Sequence, residues 1–150
     1  MTMTLEKTQG PKDILLVEDN PGDVRLAQEA IHDAKVLFNL HVVGDGSEAM
    51  AFLRRQDKYA DIRRPNLIML DLNLPVKNGF EVLAEIKADA GLKNIPVIIF
   101  SVSKSEGDIR RAYDLQANCY IVKPVDLNGL IVIMKALDVF WLTTATLPGK

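Results

Sequence analysis

Five short apolar runs punctuate the 150-residue chain: ILLV at 14–17, LHVV at 40–43, LIML at 67–70, VIIF at 97–100 and YIV at 120–122. Apart from His41 in LHVV the runs are continuously apolar rather than alternating, the pattern of strands covered on both faces in a parallel sheet. The segments between them carry helical spacing instead. Asn20 and Pro21 read as the N-cap and first residue of a helix whose inner face is Val24, Ala27, Ile31 and Ala34. Ser47 reads as the cap of a second helix reaching about Gln56, and Phe80, Leu83, Ile86 and Ala90 mark a third, closed by Gly91. Ile109, Ala112, Tyr113 and Gln116 mark a fourth, closed by Asn118, and a fifth runs from about Leu127 to Thr143. The polar stretch 54–65 reads as a helix end plus a loop. This alternation predicts an α/β chain, a (βα)5 doubly wound, parallel five-stranded sheet with right-handed crossovers.

One domain accounts for the length. Residues 12–143 are expected to form it, with 1–11 and 144–150 as tails, and a 48% apolar content suffices for one core. The formal net charge is −2 with both signs interspersed, so no basic footprint invites nucleic acid. The polar start MTMTLEKTQGPKD lacks an apolar signal segment and no run approaches a membrane span, which predicts a cytoplasmic protein without membrane contact. The single cysteine, Cys119, allows neither an internal disulfide nor a cysteine-held zinc and reads as a core residue.

In open parallel sheets ligands bind beyond the carboxyl ends of the strands. The residues that follow the apolar runs are Glu18 and Asp19, then Asp71, Ser101 and Lys123. In the common strand order 2-1-3-4-5 the first and third strands are neighbours, and three carboxylates converge. Two such charges about 4 Å apart repel by roughly 4 kcal/mol at an effective dielectric near 20, so the set calls for a cation. A divalent ion would offset two charges and Lys123 a third. All-oxygen ligation favours Mg²⁺ or Mn²⁺ over zinc, with the main-chain carbonyl of Asn73 as a further ligand. Asp71, central and beside Lys123 and Ser101, is placed to attack phosphorus. Taken singly, each of these residues is more ordinarily a solvated loop residue, a cap or a turn residue. Their joint placement at successive strand ends carries the reading.

The stretches ILLVEDN, LIMLDLNLPVKNG, VIIFSVS and YIVKP, in that order, resemble the strand-end signatures of the receiver domain of two-component response regulators across about residues 12–140. The resemblance implies a flavodoxin-like, CheY-like fold with Asp71 as phospho-acceptor. It implies Glu18 and Asp19 as Mg²⁺ ligands together with the Asn73 carbonyl, Lys123 as phosphoryl partner, Ser101 as switch hydroxyl and Tyr120 as the aromatic that moves with it. It also implies a cis Lys123–Pro124 bond, a sensor histidine kinase as phosphodonor, and a readout on the face of the fourth helix, fifth strand and fifth helix. The segments LDLNLPVKNGFEVLAEIK, SEGDI and FWLTTATLP are similar to the single-domain regulators that serve bacterial phytochromes, which implies a phytochrome-type kinase. Val102 departs from the family pattern, in which a smaller residue commonly follows the switch hydroxyl. Its bulk at the mouth is expected to slow access of phosphodonor or water and to prolong the phosphorylated state.

Leu127, Leu130, Met134, Leu137 and Trp141 form one face of the last helix, and Ile131, Ile133, Val139 and Phe140 make much of the remainder apolar. A helix apolar nearly all round needs a second partner. The expectation is a homodimer through Leu130, Met134, Phe140 and Trp141 with the 144–150 tail, against the plainer reading of a core helix with stray surface apolars. GDGSEA at 44–49 fits a loose dinucleotide fingerprint but is better explained as a turn and helix cap, and His32 and His41 read as structural or solvated. A phosphatase of the haloacid dehalogenase type is the chief rival. It wants its nucleophile on the first strand and an acid two residues later, where Asn73 stands. A phosphorylation-independent interaction domain is the second rival, and the intact acid set with Lys123 speaks against it. No effector domain is expected after the fifth helix, so output is expected through a partner, through dimer exchange or by acting as a phosphate sink.

Overall fold

The structure, a computed structural model, describes residues 10–124 and 126–140. Five strands, β1 (Lys12–Val17), β2 (Phe38–Val43), β3 (Leu67–Leu70), β4 (Val97–Ser101) and β5 (Cys119–Val122), alternate with α1 (Pro21–Ala34), α2 (Gly46–Leu53), α3 (Gly79–Ala88), α4 (Glu106–Asp114) and α5 (Leu127–Val139). All pairings are parallel and the order is β2-β1-β3-β4-β5, as the alternation predicts. Continuous apolarity has its cause in two cores. Ile14, Leu16, Met69, Ile98 and Phe100 pack with Ala27, Ala30 and Ile31 of α1 and with Leu130 and Met134 of α5. Leu15, Val17, Ile68, Leu70, Val97 and Ile99 pack on the opposite face with α2, α3 and Ala112 of α4. Successive residues of the inner strands β1, β3 and β4 thus enter opposite cores, while β2, at the sheet edge, keeps Asn39 and Val42 exposed.

The helix ends depart from the sequence reading at α2 and α4. Asn20 caps α1 as expected, accepting from the main-chain N–H groups of Gly22 and Asp23. At α2 the cap is Asp45 rather than Ser47, because the extended Asp45 places its carboxylate on the N–H of Glu48 at 2.8 Å. Asn78 and Glu81 close a reciprocal capping box at α3. Helix α4 ends at the left-handed Gln116 (φ 75°), not at Asn118, with Gln116 N–H donating to the Tyr113 carbonyl and Ala117 N–H to that of Ala112. Arg55 (φ 57°) closes α2 in the same way, next to the end expected at about Gln56. Asn118 instead accepts from the Val97 N–H at 2.8 Å and fixes the start of β4. Within 54–65 a single 3-10 turn, Asp57–Tyr59, lets the Tyr59 hydroxyl donate to Glu48.

The homodimer expectation needs correcting at two residues. Leu130 (3% exposed) and Met134 (0%) are buried in the chain's own core against α1 and the sheet, so neither is available to a second chain. The large apolar residues of α5 that are exposed are Val132 and Val139, joined by Phe140 just after the helix. Trp141 and the 144–150 tail lie outside the described residues.

Candidate phosphoryl-acceptor site

Strand register assembles the site. Val17 pairs with Leu70, so Glu18 and Asp71 leave adjacent strands side by side, and Asp71 N–H donates to the Val17 carbonyl at 3.2 Å. Ser101 pairs with Val122, and Lys123 N–H donates to the Ser101 carbonyl at 2.8 Å. Helix α3 presses on the same spot. A Cβ at Gly79 would lie 2.2 Å from the Asp71 carbonyl oxygen, so only glycine permits this close approach.

Glu18 and Asp71 are buried, Asp19 is exposed, and carboxylate oxygens of all three lie within 4.8 Å of one another. This donor set fits a hard divalent cation: all oxygen, concentrated negative charge, and one ligand open to solvent. Lys123 supplies positive charge from the far side, its Nζ lying 2.5 Å from Glu18 Oε1, 2.9 Å from Asp23 Oδ2 and 3.0 Å from Asp71 Oδ2. Burial pushes the Glu18 carboxyl above the ordinary carboxylate range; the Lys123 hydrogen bond opposes this and the Asp71 charge adds to it. Burial alone would lower the Lys123 ammonium, but the bonds from Glu18 and Asp23 and the charge of Asp71 outweigh it and hold it above its usual value.

Ser101 is fully buried, and its Oγ accepts from the Ser103 N–H at 3.3 Å. Half-buried Tyr120 donates its hydroxyl to the Ser103 carbonyl at 2.9 Å. Val102 is 64% exposed at the mouth. The Asn73 N–H reaches Asp71 Oδ1 at 3.4 Å. The described residues contain no cis peptide bond, so Lys123–Pro124 is trans, the form an X–Pro bond intrinsically prefers, and the ammonium still reaches all three carboxylates. Beside the site an open groove of about 390 Å³ is lined by Glu18, Asp19, Pro21, Val24, Arg25, Gln28 and Gly44.

The sequence reading missed Asp23 and Ser103. Asp23 carried a signal, an acid in the first turn of the helix that follows the first strand's acids. Ser103 carried none, since its links to Ser101, Tyr120 and Asp108 form only once the loop between β4 and α4 is folded. His41 stands apart from the site. It bonds Asp13 at 3.2 Å, near the other end of β1.

The model of the response regulator receiver domain matches residues 14–135. The chain belongs to that family. Response regulator Rcp1 of Synechocystis sp. is 46% identical over 144 residues, covering 96% of this chain and 98% of Rcp1. Among solved structures, the phosphorylated cyanobacterial phytochrome response regulator RcpA is 54% identical with a TM-score of 0.85, covering 93% of this chain and 99% of RcpA. The Mn²⁺-bound form of Rcp1 is 47% identical with a TM-score of 0.82, covering 93% of this chain and all (100%) of the other. The CheY-like receiver fold expected from the strand-end motifs is therefore the fold of this chain. No helix of the described residues is long and apolar enough to cross a membrane.

Proposed function

We propose that this receiver domain accepts a phosphoryl group on Asp71 from a sensor histidine kinase, of the phytochrome type, in the cytoplasm. The observation that carries the reading is the Lys123 ammonium 3.0 Å from Asp71 Oδ2 within the buried acid set. An Asp71 oxygen attacks phosphorus in line; the O–P bond forms as the N–P bond of the donor phosphohistidine breaks, and the electron pair returns to the imidazole nitrogen. Positioning and charge neutralisation do most of the work in such a transfer. When bound by Glu18, Asp19, Asp71 and the Asn73 carbonyl, Mg²⁺, or Mn²⁺ as in the relative, supplies charge for the phosphoryl oxygens. Lys123 and the Ser101 hydroxyl donate to those oxygens from the protein side, where phosphorylation turns one negative charge into roughly two.

Catalysis is confined to the protein's own phosphotransfer and dephosphorylation. Acetyl phosphate is expected to give stoichiometric, slowly lost labelling, and a generic phosphate ester no steady turnover; sustained turnover of the ester would favour a phosphatase. Movement of Ser101 toward the phosphoryl group passes to Tyr120 and the surface of α4, β5 and α5. On that surface the exposed Val132, Val139 and Phe140 support a homodimer. Sedimentation at high concentration in both phosphorylation states tests it, and a monomer in both would end it.

A further inference from the structure

We propose that Asp23 is a positioning residue for phosphoryl transfer, the carboxylate that anchors Lys123 over Asp71; this rests on Asp71 being the phospho-acceptor. An ammonium has three N–H donors, and here each has its own carboxylate, on Glu18, Asp23 and Asp71. The three acceptors are not equivalent. Glu18 and Asp71 belong to the acidic cluster that fits a divalent cation, and Asp23 lies outside it. Asp71 is also the group that the chemistry consumes. Asp23 is therefore the acceptor on which neither cation nor phosphoryl group draws.

Helix capping does not account for this carboxylate. Asn20 Oδ1 takes the N–H groups of both Gly22 and Asp23, while Asp23 Oδ2 reaches from the first turn of α1 to a residue at the end of β5, 100 positions along the chain. Lysine presents a point charge on a flexible four-carbon stem, so its acceptors decide where the ammonium rests. As the Asp71 O–P bond forms and the donor's bond to phosphorus breaks, with its electron pair leaving on the donor, a phosphoryl oxygen takes over the N–H now held by Asp71 Oδ2. Asp23 keeps the ammonium in place through that exchange.

The test compares wild type, Asp23→Ala and Asp23→Glu, labelled by acetyl phosphate with Mg²⁺. Asp23→Ala is expected to lower the limiting labelling rate about tenfold while half-saturation stays within roughly twofold, and Asp23→Glu to recover most of the rate. The ¹⁵N resonance of the Lys123 ammonium, recorded without any phosphodonor, supplies a second reading. It is expected to be slowly exchanging in wild type and Asp23→Glu and broadened in Asp23→Ala. The Asp23 side chain is 40% exposed, so the variants are expected to fold. Wild-type labelling by Asp23→Ala would overturn the proposal, as would an unchanged Lys123 resonance in that variant. Failure of the wild type to be labelled at Asp71 would instead strike the phospho-acceptor reading, and the resonance would still decide whether Asp23 holds Lys123.

Discussion

The Tyr120 hydroxyl, on β5, donates to the main-chain carbonyl of Ser103 in the β4–α4 loop at 2.9 Å. The same Ser103 gives its N–H to Ser101 Oγ at 3.3 Å and its own hydroxyl to Asp108 of α4 at 2.7 Å. One loop residue therefore ties the buried Ser101 hydroxyl to β5 and α4. Tyr120→Phe removes one bond of this set and leaves the acid cluster untouched. Denaturant titration should show a loss of about 0.5–1.5 kcal/mol, with the rate of Asp71 labelling unchanged. A large loss of labelling would mean that Tyr120 belongs to the chemistry rather than to the readout.

Divalent cation should stabilise the fold through Glu18, Asp19 and Asp71. At ten times the dissociation constant the gain is about 1.4 kcal/mol, a rise of roughly 3–5 °C in a thermal melt of a chain this size. Asp19→Asn and Asp71→Asn should each reduce that rise. An identical rise in both variants would move the ion elsewhere.

Val102 is mostly exposed at the mouth of the site, directly after the buried Ser101. Trimming it to alanine should shorten the phosphorylated state roughly threefold by admitting water. The decay of labelled protein after removal of phosphodonor measures this. Equal lifetimes would assign the lifetime to other groups.

At the amino end of β1, burial pushes the Asp13 carboxyl up, but hydrogen bonds from His41 and Asn39 and the Arg63 charge outweigh it, and it lies below the ordinary 3.8. A lowered acid stabilises the fold above its unfolded value and loses that contribution as pH falls through the folded value. Asp13→Asn should therefore cost about 1–3 kcal/mol at pH 7, and the gap to wild type should close below pH 3.8. A gap that persists undiminished in acid would show that shape, not charge, makes the difference.

The sheet was legible because buried parallel strands must be apolar on both faces, as Leu15 and Leu16 illustrate by entering opposite cores. The site was legible for the same reason: Glu18, Asp71, Ser101 and Lys123 follow runs whose ends the topology brings together. Helix ends were less so, because Arg55 and Gln116 adopt left-handed conformations that sequence ordinarily assigns to glycine or asparagine. The outer face of α5 was misjudged because periodicity shows that Leu130 and Met134 share a side without showing that α1 already covers it. Asp23 escaped notice since its partner, Lys123, is distant in sequence and adjacent only after β5 is docked.

Asp71 is the proposed acceptor of the phosphoryl group. Intact-protein mass spectrometry after incubation with acetyl phosphate and Mg²⁺ tests it most directly. One added phosphoryl group is expected on wild type, lost on treatment with hydroxylamine as an acyl phosphate should be, and none on Asp71→Asn. An unmodified wild type, or equal modification of Asp71→Asn, would contradict it.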